Sequence, residues 1–280
     1  MKSALGGRGK RSGEWDSTAM ELNGTSAIVS GGASGLGEAT ARALSRAGVH
    51  VVIADLNEAR GKEVAAEVDG HFARTDVTDE ESVRAAVAAA ANAGRPLRVA
   101  VSCAGIGWAE RTVNREKAPH GLASFQKVIA VNLIGTFNLM RMAAAAMAET
   151  EPVDADGQRG VIINTSSVAG IEGQTGQLAY SASKGGIIGM TLPAARDLSV
   201  IGVRVNTICP GVIHTPIYKN IAGTGRDADE FLARLAAPVV FPKRLGRPDE
   251  FGHLVCALIE NDYMNAEVVR FDGGIRFQPK

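Results

Sequence analysis

The sequence predicts one α/β domain: a doubly wound, seven-stranded parallel sheet with helices on both faces. Three observations carry that expectation. Short Val/Ile-rich runs alternate with longer helical patterns along the chain, as strands joined by helical crossovers require. A glycine-rich segment, Ser30-Gly-Gly-Ala-Ser-Gly-Leu-Gly37, separates the first strand-like run from the first helical one. Tyr180-Ser-Ala-Ser-Lys184 sets a phenol and an amine one helical turn apart, where side chains at i and i+4 share a face.

The first strand is expected over Ala27–Ser30, and Gly31, Ser34, Gly35, Leu36 and Gly37 then turn the chain into the helical run Glu38–Ala47. Glycines at such a turn let the backbone approach a pyrophosphate, whose charge is held by free N–H groups at the helix N-terminus. The spacing is G-x-x-x-G-x-G, and a tight turn with no ligand would read the same way. The strand before it, the helix after it and an acid ending the next strand favour a dinucleotide. That next strand is Val49–Asp55. Its terminal Asp55 stands about twenty residues beyond the loop, where a carboxylate accepts from ribose hydroxyls and repels a 2′-phosphate, so NAD is expected over NADP. Asp55 could also cap the next helix, with Glu58 completing a capping box. No basic residue directly follows it, and Arg42 and Arg60 read as solvated helix positions.

Further strands are expected at His71–Asp76, Arg98–Ser102, Gly160–Thr165, Val203–Ile208 and Glu267–Phe271. Helices are expected at Glu80–Asn92, Gly121–Glu149 and Leu178–Ser199. Asp76, before Val77, could cap a helix that starts with Thr78. In a doubly wound sheet the ligand lies at the carboxyl ends of the strands, where the glycine loop, Asp55, Asp76, Cys103, Ser167 and Pro210 all fall. A phenol normally titrates near pKa ~10, and a cation such as Lys184 beside Tyr180 would lower it toward working pH. Such a tyrosine can protonate a carbonyl or deprotonate an alcohol while Ser167 holds the same oxygen. Solvated helix faces carry Tyr-x-x-x-Lys by chance, so the glycine loop is the necessary second signal.

The chain has 280 residues and is 45% hydrophobic, enough for one core of this kind. Met1 to Met20 is basic and without periodicity, which suggests a disordered tail ahead of a domain spanning 21–280. Thirty basic and thirty acidic residues cancel, so no strong electrostatic footprint for nucleic acid or membrane is expected. No run of eighteen apolar residues is present, so no span is expected. Cys103, Cys209 and Cys256 are isolated and read as free thiols in a reducing compartment. A cytoplasmic setting is expected, with a mitochondrial one as the alternative. The five His residues lack ligand spacing, so no metal is expected.

The glycine loop and the Tyr180/Lys184 pair together resemble the short-chain dehydrogenase/reductase family, from about Leu22 onward. The resemblance implies a Rossmann-type fold and a catalytic set of Asn132, Ser167, Tyr180 and Lys184. In it Tyr180 exchanges the proton, Ser167 orients the oxygen, Lys184 also holds the nicotinamide ribose, and Asn132 positions a relay water. The family's spacing selects Ser167 over Ser166. The same resemblance assigns cofactor contacts to Cys103, Ala104 and Gly105, with Ser102 and Cys103 replacing the family's usual Asn-Asn. It assigns an adenine contact to Asp76 and Val77, and closure over the nicotinamide to Pro210, Gly211, Ile213 and Thr215.

Ile171–Gln177, Ser183–Pro193, Phe241–Gly246 and Glu267–Gly274 are closely similar to the type II 3-hydroxyacyl-CoA dehydrogenases. That implies an acyl-CoA substrate and a homotetramer paired through the two long helices, where Leu133, Phe137, Met140, Ile187 and Met190 could form an uncovered face. The loop Trp108–His120 departs from that subfamily's residues. Its Arg111, Arg115 and Lys117 could meet phosphates, or be a solvated loop diluted by Glu110 and Glu116. A hydroxysteroid or other secondary-alcohol dehydrogenase, a 3-oxoacyl carrier-protein reductase and a non-catalytic dinucleotide-binding scaffold remain as alternatives.

Overall fold

The computed structural model describes residues 20–216 and 226–279. The expected tail lies outside them except for its last residue. Met20 is buried and its N–H donates to Asp262 Oδ1, so the folded body takes in this residue as well.

Among the described residues the strands are β1 (Ser26–Ser30), β2 (His50–Asp55), β3 (His71–Arg74), β4 (Leu97–Ser102), β5 (Gly160–Thr165), β6 (Val203–Pro210) and β7 (Val268–Phe271). They form one parallel sheet in the order β3-β2-β1-β4-β5-β6-β7. The helices are α1 (Gly35–Arg46), α2 (Glu58–Glu67), α3 (Glu80–Ala91), α4 (Leu122–Ile129), α5 (Gly135–Ala148), α6 (Leu178–Ser199), α7 (Arg226–Ala236) and α8 (Pro248–Glu260).

Strand side chains alternate between faces, and both faces are apolar because helices cover both. Val29, Val51, Ile53, Val101 and Ile163 pack with Leu44 of α1 and Phe251, Val255 and Leu258 of α8. Ile28, Val52, Ala100, Ile162 and Val205 pack on the other face with Val83 of α3, Leu139 and Met147 of α5 and Ala195 of α6. β3 stops at Arg74, short of the expected Asp76, because the chain turns: Thr75 Oγ1 donates to the Ala73 carbonyl and the Asp76 N–H to Ser82 Oγ. β6 runs on to Pro210, which offers no N–H but lies beyond Ile208, the last residue paired with β5.

The long helix expected over Gly121–Glu149 is not one uniform α-helix. Between α4 and α5 the segment Ala130–Ile134 is π-helical, and the Gly135 N–H reaches back five residues to the Ala130 carbonyl. Single π turns of this kind insert one extra residue and occur often at functional sites. The run Leu122–Ala148 is long enough for a membrane span and holds an 18-residue window of mean hydropathy 1.5, yet 56% of that window is buried inside the domain, as in a core helix. The expected uncovered face also divides. Met140 and Ile187 belong to the interior, whereas Ile134, Phe137, Leu178 and Leu192 are exposed.

Candidate active site

The glycine loop joins β1 to α1 and abuts the end of β4. Gly31 has φ +67°, and a Cβ on it would stand 2.7 Å from the Ala104 nitrogen. A Cβ on Gly37 would lie 2.1 Å from the Gly31 carbonyl oxygen, so neither position has room for a side chain. Ser34 occupies the N-cap of α1 in extended geometry without a side-chain capping bond. The first-turn N–H groups of the helix therefore take no acceptor from the N-cap side chain, which suits an anionic ligand. This uncapped terminus over a cradle too tight for any Cβ fits a dinucleotide's pyrophosphate. Gly35 lies beside Thr215 and Pro216, which brings the segment after β6 against the loop.

Asp55 is held at the end of β2, where one carboxylate oxygen accepts from the Ala33 N–H at 3.0 Å and the other from the Asn57 N–H at 2.9 Å. It does not cap α2. Asn57 does, with Oδ1 accepting from the Arg60 N–H, so the alternative of an Asp55–Glu58 capping box is not formed. Likewise Asp79, not Asp76, caps α3. Asp76 instead accepts from the Thr78 N–H and hydroxyl. Val77 is buried against Gly135, and its carbonyl accepts from Asn138 Nδ2. Arg42 and Arg60 are not free solvated positions: both pair with Glu38 and Glu67, and Arg60 also pairs with Glu63.

Ser167 follows β5 and Tyr180 begins the first turns of α6, which brings the two hydroxyls near each other; Ser167 Oγ accepts from the Ala169 N–H at 3.1 Å. One turn on, Lys184 is buried, with Nζ donating to the Thr165 carbonyl at 2.8 Å and lying 5.8 Å from the Tyr180 ring centroid. Burial pushes this ammonium down to about 8. The expected lowering of Tyr180 by Lys184 does not follow from this geometry. Burial raises the phenol above its ordinary value, and the hydrogen bond with Ser167 opposes that rise. The ammonium is directed at the Thr165 carbonyl and lies over the ring rather than at the hydroxyl.

Asn132 sits in the π segment, fully buried. Its Oδ1 accepts from the Ile106 N–H, and its Nδ2 donates to the Ile106 carbonyl and to Ser183 Oγ. The amide thus pins the loop after β4 against α6. Gly105 fits in the gap, where a Cβ would be 3.2 Å from Asn132 Oδ1 and 3.6 Å from Lys184 Nζ. Cys103, in place of a more polar residue, contacts Thr165 Oγ1 at 3.5 Å, and burial pushes its thiol up to about 11. Pro210, Gly211 and Ile213 continue from β6, with Gly211 bonded to Phe271 and Ile213 paired with Gly246.

The structure thus brings Asn132, Ser167, Tyr180 and Lys184 together at the carboxyl ends of β4 and β5, beside the glycine loop, Cys103, Ala104 and Gly105. It adds residues the sequence reading missed. Ser183 links the Tyr180 carbonyl to Asn132, and Ser166 Oγ donates to the Lys184 carbonyl. Both lie inside the quoted motifs, where a buried serine next to a catalytic position is a legible signal. Glu110 does more than dilute its loop's charge. Its carboxylate accepts from the Gly121 N–H, the Trp108 ring N–H and Ser124 Oγ, which hold it well below the usual carboxylate range. Arg111, Arg115 and Lys117 are exposed and make no ion pair among the described residues.

A parallel doubly wound sheet, a glycine cradle at its switch point and a Ser–Tyr–Lys cluster define a dinucleotide-dependent oxidoreductase. The chain belongs to the short chain dehydrogenase family, whose family model matches residues 25–224. It is 51% identical over 261 residues to 3-hydroxyacyl-CoA dehydrogenase type-2 of Bos taurus, covering 92% of this chain and 97% of that protein. The ipsdienol dehydrogenase of Ips pini is 33% identical, with 89% and 96% covered. The crystal structure of 3-hydroxyacyl-CoA dehydrogenase type-2 from Mycobacterium avium superposes with a TM-score of 0.86 at 48% identity, covering 93% of this chain and 100% of that one.

The depressed Lys184 pKa generates a pH test. Tyr180 stays protonated through the neutral range, so it is a competent acid there, and Lys184 is charged below about 8. The ammonium that ties α6 to the Thr165 carbonyl is lost as pH rises. Reductive kcat/KM is expected to be level at neutral pH and to fall above about 8, and in Lys184→Met that falling limb should disappear from the profile.

Proposed function

We propose that the protein is an NAD-dependent 3-hydroxyacyl-CoA dehydrogenase, interconverting a 3-hydroxyacyl thioester and its 3-oxo form. The observation that carries the chemistry is the Tyr180–Ser167 pair backed by buried Lys184 beside the glycine cradle. In the oxidation direction Ser167 holds the substrate oxygen while the ionised fraction of Tyr180, which grows as pH rises, takes the hydroxyl proton. When bound, the nicotinamide supplies the acceptor for the hydride that leaves the carbinol carbon. In reduction Tyr180 returns the proton to the carbonyl oxygen. Gly31, Ser34, Gly35, Leu36 and Gly37 would hold the pyrophosphate, Asp55 the ribose, Asp76 and Val77 the adenine, and Lys184 the nicotinamide ribose. Since the Asn132 amide is occupied by Ile106 and Ser183, a proton relay through this residue would run from its backbone carbonyl. Replacing Tyr180 by Phe is expected to lower turnover by roughly 10²–10⁴ while NADH binding persists, which fluorescence titration of the variant measures directly.

NAD in preference to NADP is supported by Asp55, by exposed Leu56 directly after it, and by the ion pairs that engage Arg42 and Arg60. Asp55→Ala removes both the ribose acceptor and the negative charge. Its NADH affinity should fall and its NADPH affinity rise, and a wild type that binds NADPH more tightly than NADH would refute the reading.

The substrate is supported by the name shared among relatives at about half identity. The exposed Arg111, Arg115 and Lys117 can add charge-assisted bonds to a nucleotide's phosphates. Acetoacetyl-CoA is expected to show a much lower KM than the same acyl group on a short thioester mimic, because remote binding energy is lost with the nucleotide. Equal KM values, or activity confined to steroids or free alcohols, would remove the acyl-CoA assignment and leave the dehydrogenase intact.

A homotetramer is supported by the exposed Ile134, Phe137, Leu178 and Leu192 on the paired long helices, and the three free thiols suit a reducing compartment. Light scattering at micromolar concentration should give about four times the 29.1 kDa chain mass, and a value at the chain mass would rule the assembly out.

A further inference from the structure

The segment after Ser167 passes through the short turn Val168–Gly170 into Ile171–Gln177. Gly173 to Gln177 form a wall of a surface groove of about 500 Å³ that Arg111, Thr112 and Val113 and Leu178 and Ser181 of α6 also line. The wall contains two glycines, and Gly176 has φ +90°. Such a sequence has little stiffness of its own.

Its stiffness comes from behind. Glu172 Oε1 accepts from Arg270 Nη2 at 2.8 Å and from the Phe277 N–H at 3.2 Å. The Thr175 N–H and hydroxyl both donate to the Pro279 carbonyl, and Gln174 Nε2 donates to the Gln278 carbonyl. Arg270 belongs to β7 and is fixed in turn by Asp272 at 2.7 Å and by the carbonyl of fully buried Ile275. On the groove side the Gly176 carbonyl accepts from the Glu110 N–H. Gly173 lies flat on α6, where a Cβ would come within 2.1 Å of Ser181 Oγ. The wall is therefore clamped between the sheet's last strand with its trailing residues and the loop that carries Arg111.

We propose that Arg270–Pro279 is a strap that sets the shape of the substrate groove through Glu172, a positioning residue that touches no reacting atom. The strap holds Ile171–Gln177 at the distance from Arg111–Val113 that admits the part of the substrate remote from the reacting carbon. It rests on the Ser167–Tyr180 dehydrogenase reading and is independent of the acyl-CoA assignment.

The test uses full-length Glu172→Ala and Glu172→Gln, together with a chain ending at Phe277, which removes only the Gln278 and Pro279 acceptors and Lys280. Each is assayed with the substrate that wild type turns over best among acetoacetyl-CoA and a panel of secondary alcohols and ketones. Loss of acetoacetyl-CoA activity in wild type would thus count against the acyl-CoA reading alone. In Glu172→Ala, KM is expected to rise roughly tenfold, the scale of a lost charge-assisted contact. Turnover and the NADH dissociation constant should stay within about twofold. Glu172→Gln retains an acceptor oxygen and should recover part of the KM, and the shortened chain should fall between. An unchanged KM in both Glu172→Ala and the shortened chain would overturn the proposal. So would KM, turnover, NADH affinity and thermal midpoint all worsening together, since that pattern marks general destabilisation.

Discussion

A protonated amine buried at the carboxyl end of a parallel sheet imposes the main constraint on this structure. Lys184 gives up most of its hydration, and the depression of its pKa measures that cost. The Thr165 carbonyl meets one of its protons. The carbonyl is available because β5 ends there and the chain turns into Ser166 and Ser167. Ser166 in turn bonds the Lys184 carbonyl, so the strand end and the helix fix each other. Tyr180 and Ser167 are placed by the same two elements. Their approach follows from accommodating the ammonium as much as from any direct attraction between them.

The π turn at Asn132 plays the corresponding part on the other side of the cleft. An ordinary α-helical path would leave all its carbonyls satisfied four residues on, whereas the inserted residue lets a buried amide pair with both backbone groups of Ile106. The loop after β4 has no regular partner of its own, and this side-chain pairing stands in for a strand. Ser183 extends the bond set to the carbonyl of Tyr180. Cofactor floor, proton donor and interior helix are therefore parts of one hydrogen-bonded body.

Much of this was legible in the chain. β5 and α6 have the bounds expected from their apolar runs, because strands covered on both faces are continuously apolar and the helix opens on a recognisable motif. The glycine positions were legible because packing leaves them no room for a side chain. The π break was not, since over five residues α and π turns have nearly the same apolar pattern. The sequence leaves open a capping role for Asp55 and Asp76 beside their cofactor roles, and Asn57 and Asp79 perform the capping instead, because any short polar side chain near a helix start satisfies the same rule. In sequence Glu110 reads as a loop charge, and nothing marks a partner for Glu172. Their partners are decided in three dimensions, and Glu172 meets an arginine 98 residues away.

That long separation bears on the order in which the enzyme comes into being. Every strand from β1 to β6, the glycine loop, Asn132 and the Tyr180–Lys184 turn precede Arg270 in the chain. β7 is an edge strand, paired only with β6. During synthesis, which proceeds from the N-terminus at about 5–20 residues per second, the cofactor cradle and proton donor are available before the last strand can dock. The wall at Ile171–Gln177 acquires its bonds to Arg270, Phe277 and Pro279 only after that strand has been made. The bonds between the last strand and Ile171–Gln177 are therefore among the last that the growing chain can make.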